Sequence, residues 1–169
     1  HGQHGQQSNK NDNIGHDLAT EWTNKAIGEH ASIASFAAFT ITLMSNQAPP
    51  DLIRDSLNAA MDELNHAVTS FEIASLLTGT PIEPGKLPPS MHAFEMNLTA
   101  LALAAAREGC IAETLSALEL AIEVDRMAAD ADVDDLSTML MRKTKIIALE
   151  EGRHSVLAWR TIHWVCSAD

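Results

Sequence analysis

The stretch LATEWTNKAIGEHASIASFAAFTITLM at residues 18–44 decides the fold class of this chain. Its large apolar residues recur at intervals of three, four or seven positions, which is the spacing of one helix face. They form a stripe about 100° wide that comprises Trp22, Ala26, Ile33, Phe36 and Leu43. The pattern therefore predicts an amphipathic α-helix, helix one, with this stripe facing a core.

Three more helices follow from the same kind of pattern. Helix two is predicted over residues 51–77, helix three over 91–129 and helix four over 134–165. Residues 79–89, with four prolines and two glycines, are long enough to carry the chain across the end of a bundle. The alanine-rich middle of helix three indicates burial on more than one side, so we expect helix three to be central. The predicted fold class is all-α, a four-helix bundle with a crossover connection between helices two and three.

Composition limits the kind of protein this chain can be. Residues 1–13 are almost entirely polar and are predicted to form a disordered tail, which leaves residues 14–169 as one bundle domain. The formal net charge of -12 disfavours a nucleic-acid partner. The longest apolar runs are cut by Thr99, Arg107 and Glu108 before they reach about 18 residues, so no membrane span is expected. The sequence leaves the compartment open, with the cytoplasm as the default.

Two E-x-x-H motifs are the main candidates for chemistry. Glu63 and His66 lie on helix two, and Glu151 and His154 lie on helix four. Residues three apart share a helix face, so each motif can present a carboxylate and an imidazole to one metal ion. Glu63 and Glu151 fall on the apolar stripes of their helices, which places both acids toward the core. Because an unpaired buried charge is costly, we expect a metal cation as their partner.

Helices one and three supply further inward carboxylates. Glu29 lies within the apolar stripe of helix one. On helix three, Glu108 and Glu113 lie on two different apolar stripes, and either could be the ligand. They are about 140° apart on a regular α-helix, but a local π-type turn would bring them onto one face, and such turns cluster at functional sites. We expect Glu108 to be the bridging ligand and Glu113 an auxiliary one.

The order of these residues resembles the ferritin-like di-iron carboxylate superfamily, whose members carry one Glu on each of two helices and E-x-x-H on the other two. The resemblance covers nearly the whole chain after the tail. Four strings carry a closer similarity to a group of largely uncharacterised bacterial ferritin-like domain proteins: GEHASIASFAAF at 28–39, DELNHA at 62–67, REGCIAETLSALE at 107–119 and EEGRHSVLAWR at 150–160.

The resemblance implies a metal site and its surroundings. Each motif glutamate would pair with the histidine of its own motif, while Glu29 and Glu108 would each serve one metal or bridge both. Two iron ions, or manganese, suit these oxygen and imidazole ligands. The residues before the motif acids would accept the second ring N–H of the opposite motif's histidine, so that Asp62 pairs with His154 and Glu150 with His66.

The function expected from this site is that of a di-iron or di-manganese carboxylate oxidoreductase that activates O2 or peroxide. The chain contains no tyrosine, which excludes a tyrosyl radical. Its expected partners are O2 or peroxide, an unknown small-molecule substrate or external electron donor, and a second copy of the chain in a homodimer. The alternative is a non-catalytic metal-binding or iron-storage protein of the same fold.

Overall fold

The computed structural model describes residues 4–87, 96–129 and 134–167, with side chains described from Asp17 onward. All regular structure in these ranges is helical. The elements are α1 (His4–Ser45), α2 (Pro50–Thr78), α3 (Leu98–Ala104), a π-helical segment (Ala105–Glu113), α4 (Thr114–Ala129) and α5 (Asp135–Ser167). The segments α3, π and α4 are continuous and together form the third helix of the bundle, at 98–129. The predicted all-α class with four long helices is confirmed.

Local sequence explains where the helices begin and end. Pro50 and Asp51 occupy the first turn of α2, and Gly79 ends the helix in the left-handed conformation with φ 68°. Asn97 caps the third helix, because its Oδ1 accepts a 2.8 Å hydrogen bond from the backbone N–H of Ala100. Asp134 caps α5 in the same way, accepting a 2.7 Å bond from the N–H of Ser137. The predicted start of helix four at residue 134 agrees with this cap.

The helices pack as two hairpins, and α2 of the first hairpin packs against α5 of the second. α1 packs along α2, the π-helical segment and α4 pack along α5, and α2 packs against α5. α1 meets the third helix mainly at α3. One apolar cluster lies at that end and contains Leu43, Leu52, Leu101 and Leu157. A second cluster lies at the other end around Trp22 and Ile147. The candidate site lies between these two clusters.

The prediction that the third helix is central is wrong. Its described residues include only Leu101, Ala105 and Cys110 as buried, and α4 has no buried residue. Large apolar side chains such as Leu103 and Ile111 are more than half exposed. The alanines have a different role here, because several of them line a cleft that separates this helix from α1. A run of small residues is therefore compatible with the wall of a cleft as well as with a buried helix face.

The start of the first helix differs from the prediction. α1 begins at His4, so its backbone continues through most of the polar segment at 1–13 that the composition predicts to be a tail. Once a helix is nucleated, each further residue adds a hydrogen bond, and a polar segment can extend the helix without joining the core. The start of the bundle domain at residue 14 stays a prediction. The predicted start of helix three at Met91, and the crossover connection that precedes it, lie outside the described residues.

One helical segment among the described residues, Asp17–Ser45 in α1, is long and apolar enough to cross a membrane by length and composition. The core helix of a bundle meets the same criteria, and this segment packs along α2. It contains Glu29, which is buried within the bundle.

Candidate metal centre

The cluster of buried carboxylates and imidazoles lies where α1, α2, α5 and the end of the π-helical segment meet. Glu63 and His66 of α2 are 1% and 2% exposed, and Glu151 and His154 of α5 are buried to the same degree. Glu29 of α1 is also buried. The inward phase that the apolar stripes predict for Glu29, Glu63 and Glu151 is therefore observed, and the two motif histidines are buried with them.

The ligand-type atoms form two groups that overlap. One group consists of Glu29, Glu63, His66 and Glu151, and the other of Glu63, Glu113, Glu151 and His154; within each, one oxygen or nitrogen per residue lies within 4.8 Å of all the others. Glu63 and Glu151 belong to both groups. Each carboxylate has two oxygens and can face two neighbouring positions at once, so the arrangement describes two adjacent cation positions with two shared acids.

The ring nitrogens that face the cluster have no hydrogen-bond partner. Nδ1 of His66 lies 3.3 Å from Oε1 of Glu151, and Nδ1 of His154 lies 3.1 Å from Oε1 of Glu63. Neither nitrogen makes a hydrogen bond, and Oε2 of Glu63 is also without one. Buried polar atoms are rarely left unpaired, and three unpaired atoms that converge on one spot indicate a site built for another species.

The outer nitrogens of the two histidines are paired as the sequence predicts. Nε2 of His66 lies 2.7 Å from Oε2 of Glu150, and Nε2 of His154 lies 3.4 Å from Oδ2 of Asp62. When Nε2 donates to these carboxylates, the lone pair of each Nδ1 points at the cluster, which is the tautomer that a metal ligand requires. The assignment of Glu150 and Asp62 as partners of the motif histidines is confirmed.

Arg153 links the two outer carboxylates, a feature that the sequence analysis missed. Its Nη2 donates to Oε1 of Glu150 at 3.0 Å and lies 3.5 Å from Oδ2 of Asp62. The i, i+3 spacing to Glu150 is the signal that could have identified it. The positive charge offsets the two acids and holds them against the histidine rings.

The π-helical segment reverses the predicted order of importance of the two acids on the third helix. Glu113, whose side chain is 14% exposed, places Oε2 3.8 Å from Nδ1 of His154. Glu108 is 67% exposed and pairs with its neighbour Arg107. The expectation that Glu108 is the bridging ligand is wrong: Glu113 reaches the cluster, and the two carboxylates common to both groups are Glu63 and Glu151. The predicted π-type turn is present at Ala105–Glu113, and both acids line the same cleft, but only the last residue of the turn points into the cluster.

A lysine also reaches the cluster. Nζ of Lys25 lies 2.8 Å from Oε1 of Glu29, one helical turn away, and its side chain is 19% exposed. The i, i+4 spacing on α1 brings the flexible lysine chain to the edge of the site, a feature that the sequence analysis missed. Lys25 therefore supplies a positive charge beside one of the four carboxylates of the two groups.

The carboxyl groups of the cluster respond differently to burial and to their neighbours. Burial raises the pKa of Glu63 to about 7; the facing His154 opposes the rise, and the charges of Glu151 and Glu29 add to it. Burial raises the pKa of Glu151 to about 7 in the same way, against the effect of His66 and with the support of Glu113. For Glu29, burial is overcome by His66 and Lys25, and the pKa falls to about 2. Two carboxyls of the cluster thus hold protons up to near neutral pH when no cation is bound.

The imidazoles respond to the same surroundings. Burial alone would lower the pKa of His66, but the carboxylates of Glu151, Glu29 and Glu150 raise it to about 11. Burial is likewise outweighed at His154, where Glu113 and Glu63 raise the pKa to about 10. In the metal-free protein, protons on the imidazoles and on two of the carboxyls therefore offset the negative charge of the cluster. Cations bound among them would take the place of those protons.

Two further side chains that could in principle bind a metal, His30 and Cys110, have other surroundings. His30 packs edge-on against Phe71, with ring centroids 6.4 Å apart. Cys110 is buried in a small cluster with Ala105 and Ala158, where it acts as a small apolar side chain. Neither residue belongs to the cluster of ligand-type atoms.

Comparisons of the chain with protein-family models, with curated proteins and with solved structures found no match. The site is therefore interpreted from its own geometry.

Proposed function

We propose that this chain is a ferritin-like carboxylate oxidoreductase that holds two iron or two manganese ions and acts on O2 or a peroxide. The observation that carries the proposal is the pair of overlapping ligand groups with unpaired imidazole nitrogens aimed into them. Each nitrogen lies 3.1–3.3 Å from a carboxylate oxygen but makes no hydrogen bond, so a metal ion in either group would give these buried atoms the partner that they lack.

The donor set fits two cations. Glu29 and His66 would hold one ion, Glu113 and His154 would hold the other, and Glu63 with Glu151 would bridge them. This set of carboxylate oxygens and imidazole nitrogens, without a thiolate, is suited to iron or manganese. When bound, the metals would supply the electron chemistry on O2 or peroxide.

The protein's own side chains would orient the ligands and restrict access of water. Glu150 and Asp62 fix the ring orientation and tautomer of the histidines, and Arg153 fixes the two acids in turn. Phe36 packs edge-on against His154, with ring centroids 5.0 Å apart, and covers that side of the cluster. Lys25 holds one oxygen of Glu29 and leaves the other facing His66 at 3.7 Å.

The proposal is tested by metal stoichiometry followed by turnover. Protein stripped of metal is loaded anaerobically with ferrous ion, bound iron is measured by elemental analysis, and the consumption of added O2 or hydrogen peroxide is then recorded in the presence of a reductant. We expect two ions per chain and consumption well above that of free iron. Glu63→Ala should lose at least one ion and the activity, and Glu123→Ala, on the exposed side of α4, should lose neither.

Each other outcome has a defined meaning. Fewer than one ion per chain in the loaded wild-type protein would refute the metal site. Two ions per chain without consumption of O2 or peroxide would refute the oxidoreductase and favour the non-catalytic metal-binding protein. Uptake far beyond two ions per chain, together with a closed multi-subunit particle in solution, would favour iron storage.

A further inference from the structure

A cleft of about 580 Å³ separates α1 from the third helix, and the metal-ligand cluster forms part of its floor. Glu63, Glu151 and His154 line it from below. The two atoms without a hydrogen-bond partner at this point, Oε2 of Glu63 and Nδ1 of His154, belong to side chains that are almost fully buried. The cleft is therefore a route by which a molecule from solvent would reach the cluster.

The two halves of the cleft differ in chemistry. The half beside the cluster contains the charged lining residues: Lys25, Glu29, Glu108 and Glu113, together with the floor. The other half is lined by Phe36, Phe39, Leu101, Ala104 and Leu157, and none of its described lining residues from 35 to 42 or from 100 to 105 is charged. A molecule that occupies this half exchanges water for apolar carbon without leaving a charge unpaired.

Small side chains make the apolar half wide. Ala100, Ala104 and Ala105 form the wall on the third helix, and Ser35 and Ala38 contribute to the wall on α1. The volume lies within the range of roughly 300 to 1,000 Å³ that is usual for small-molecule sites in proteins. The space is suited to a small molecule.

We propose that this cleft binds an uncharged, largely apolar small molecule, with one end against the metal-ligand cluster. An anion is disfavoured because the cluster end already holds carboxylates and the chain carries a net charge of -12. A cation would find acids at the cluster end but no counter-charge in the apolar half. The inference rests on the proposed function only for the fate of the bound molecule, which would be the substrate of the metal centre.

The experiment measures binding in the metal-free protein, with two probes that share an aromatic framework and differ in charge. The uncharged probe is N-phenyl-1-naphthylamine, and the anionic probe is 1-anilinonaphthalene-8-sulfonate; both fluoresce in apolar surroundings. We expect the uncharged probe to saturate at one molecule per chain and to bind at least tenfold more tightly than the anionic probe.

Matched variants locate the binding site. Ala104→Trp fills the cleft from the third helix and should weaken binding of the uncharged probe at least tenfold. Ala121→Trp places the same side chain on an exposed position of α4 outside the cleft and should leave binding unchanged. Ser35→Trp and Ala37→Trp repeat the comparison on α1, where only the first residue lines the cleft, in case Ala104→Trp does not fold. Circular dichroism confirms folding of each variant.

The results separate this inference from the proposed function. Equal binding by the cleft variants and their controls would show that the probe binds the exposed apolar surface, and equal or tighter binding of the anionic probe would refute the uncharged class; either result overturns the inference. Ferrous stoichiometry is measured separately on the same proteins. Metal binding without probe binding overturns the cleft proposal alone, and probe binding without metal binding overturns the proposed function alone.

Discussion

The metal-free protein should lose stability as the pH rises from 5 to 7.5. The perturbation is the removal of metal with a chelator followed by a change of pH. Glu63 and Glu151 have pKa values of about 7 in the fold, whereas an unperturbed glutamate has a pKa of 4.5. The fold therefore binds more protons than the open chain between these values, and stability falls as those protons are lost.

The magnitude follows from the size of the shifts. One pKa unit corresponds to about 1.4 kcal/mol, so a single carboxyl shifted from 4.5 to about 7 costs about 3 kcal/mol once it is ionised. The two acids share one site and titrate as a pair, so about 3 kcal/mol is expected for the first ionisation of the pair. In a domain of this size, about 1 kcal/mol shifts the melting temperature by roughly 2–4 °C, which gives a decrease of roughly 6–12 °C.

The other members of the cluster have signs that can be worked out separately. The raised pKa values of His66 and His154 contribute stability that is complete below 6.5 and is lost as the pH rises through about 10 to 11. The lowered pKa of Glu29 contributes stability that is present above 4.5 and is lost as the pH falls through about 2. The cluster of the metal-free protein is therefore expected to be most stabilising near pH 5.

Melting curves recorded by circular dichroism test this reasoning. The metal-free protein should melt at a higher temperature at pH 5 than at pH 7.5, and the double variant Glu63→Gln, Glu151→Gln should show a smaller difference. Glu123→Gln is the control and should keep it. A melting temperature that is constant or rises from pH 5 to 7.5 would refute the argument. Saturating ferrous or manganous ion should raise the melting temperature at pH 7.5. The expected gain in the free energy of unfolding is about 3–4 kcal/mol when the free ion is at several hundred times its dissociation constant.

Three further predictions concern single residues. Glu113→Ala should reduce bound metal to one ion per chain in elemental analysis, whereas Glu108→Ala should leave two; the opposite result would restore the order expected from sequence. Glu150→Ala should weaken metal affinity about 10–100-fold by calorimetric titration without removing a ligand, and an unchanged affinity would contradict its role in orienting the imidazole. Gly109→Ala should destabilise the protein by about 1–3 kcal/mol in urea unfolding, because the new Cβ would lie 2.2 Å from Cβ of the facing alanine of α5. Gly152→Ala, with no atom near the new Cβ, should be neutral or stabilising, and equal effects of the two glycine substitutions would refute the close approach.

The sequence predicted the parts of the site that depend on regular helices. The inward positions of Glu29, Glu63 and Glu151 follow from a constant 100° per residue. The pairings of the two histidines with Glu150 and Asp62 were instead implied by the family resemblance. The period remains valid in α1, α2 and α5 around the cluster, because no π-helical turn interrupts these helices. In these helices, the residue number alone therefore gives the direction in which a side chain leaves the helix axis.

The choice between Glu108 and Glu113 required information that the residue types do not contain. A π-helical turn holds more residues than an α-helical turn, so its exact start and length decide which acid faces the cluster. The residue types also do not show that the third helix is exposed, because small apolar residues are compatible with a buried face and with a cleft wall. Lys25 was missed for a related reason: a flexible side chain can bring its charge to a site from an edge position that the helical phase does not mark as internal.

One local irregularity accounts for both the position of Glu113 and the cleft. The third helix is held against α5 on both sides of Glu113, by the close approach of Gly109 to Ala158 and by the 2.7 Å hydrogen bond between the hydroxyls of Thr114 and Ser155. The π-helical segment ends between these two contacts, so Glu113 is directed at His154 from the helix that lies against α5. Because the same contacts commit this helix to α5, its alanine-rich face stays separated from α1, and the space between them opens onto the cluster. A regular α-helix would place Gly109 and Thr114 about 140° apart and could not direct both at α5, so a change that restores α-helical pairing at 105–113 should break one of the two contacts that position Glu113 and alter the cleft with it.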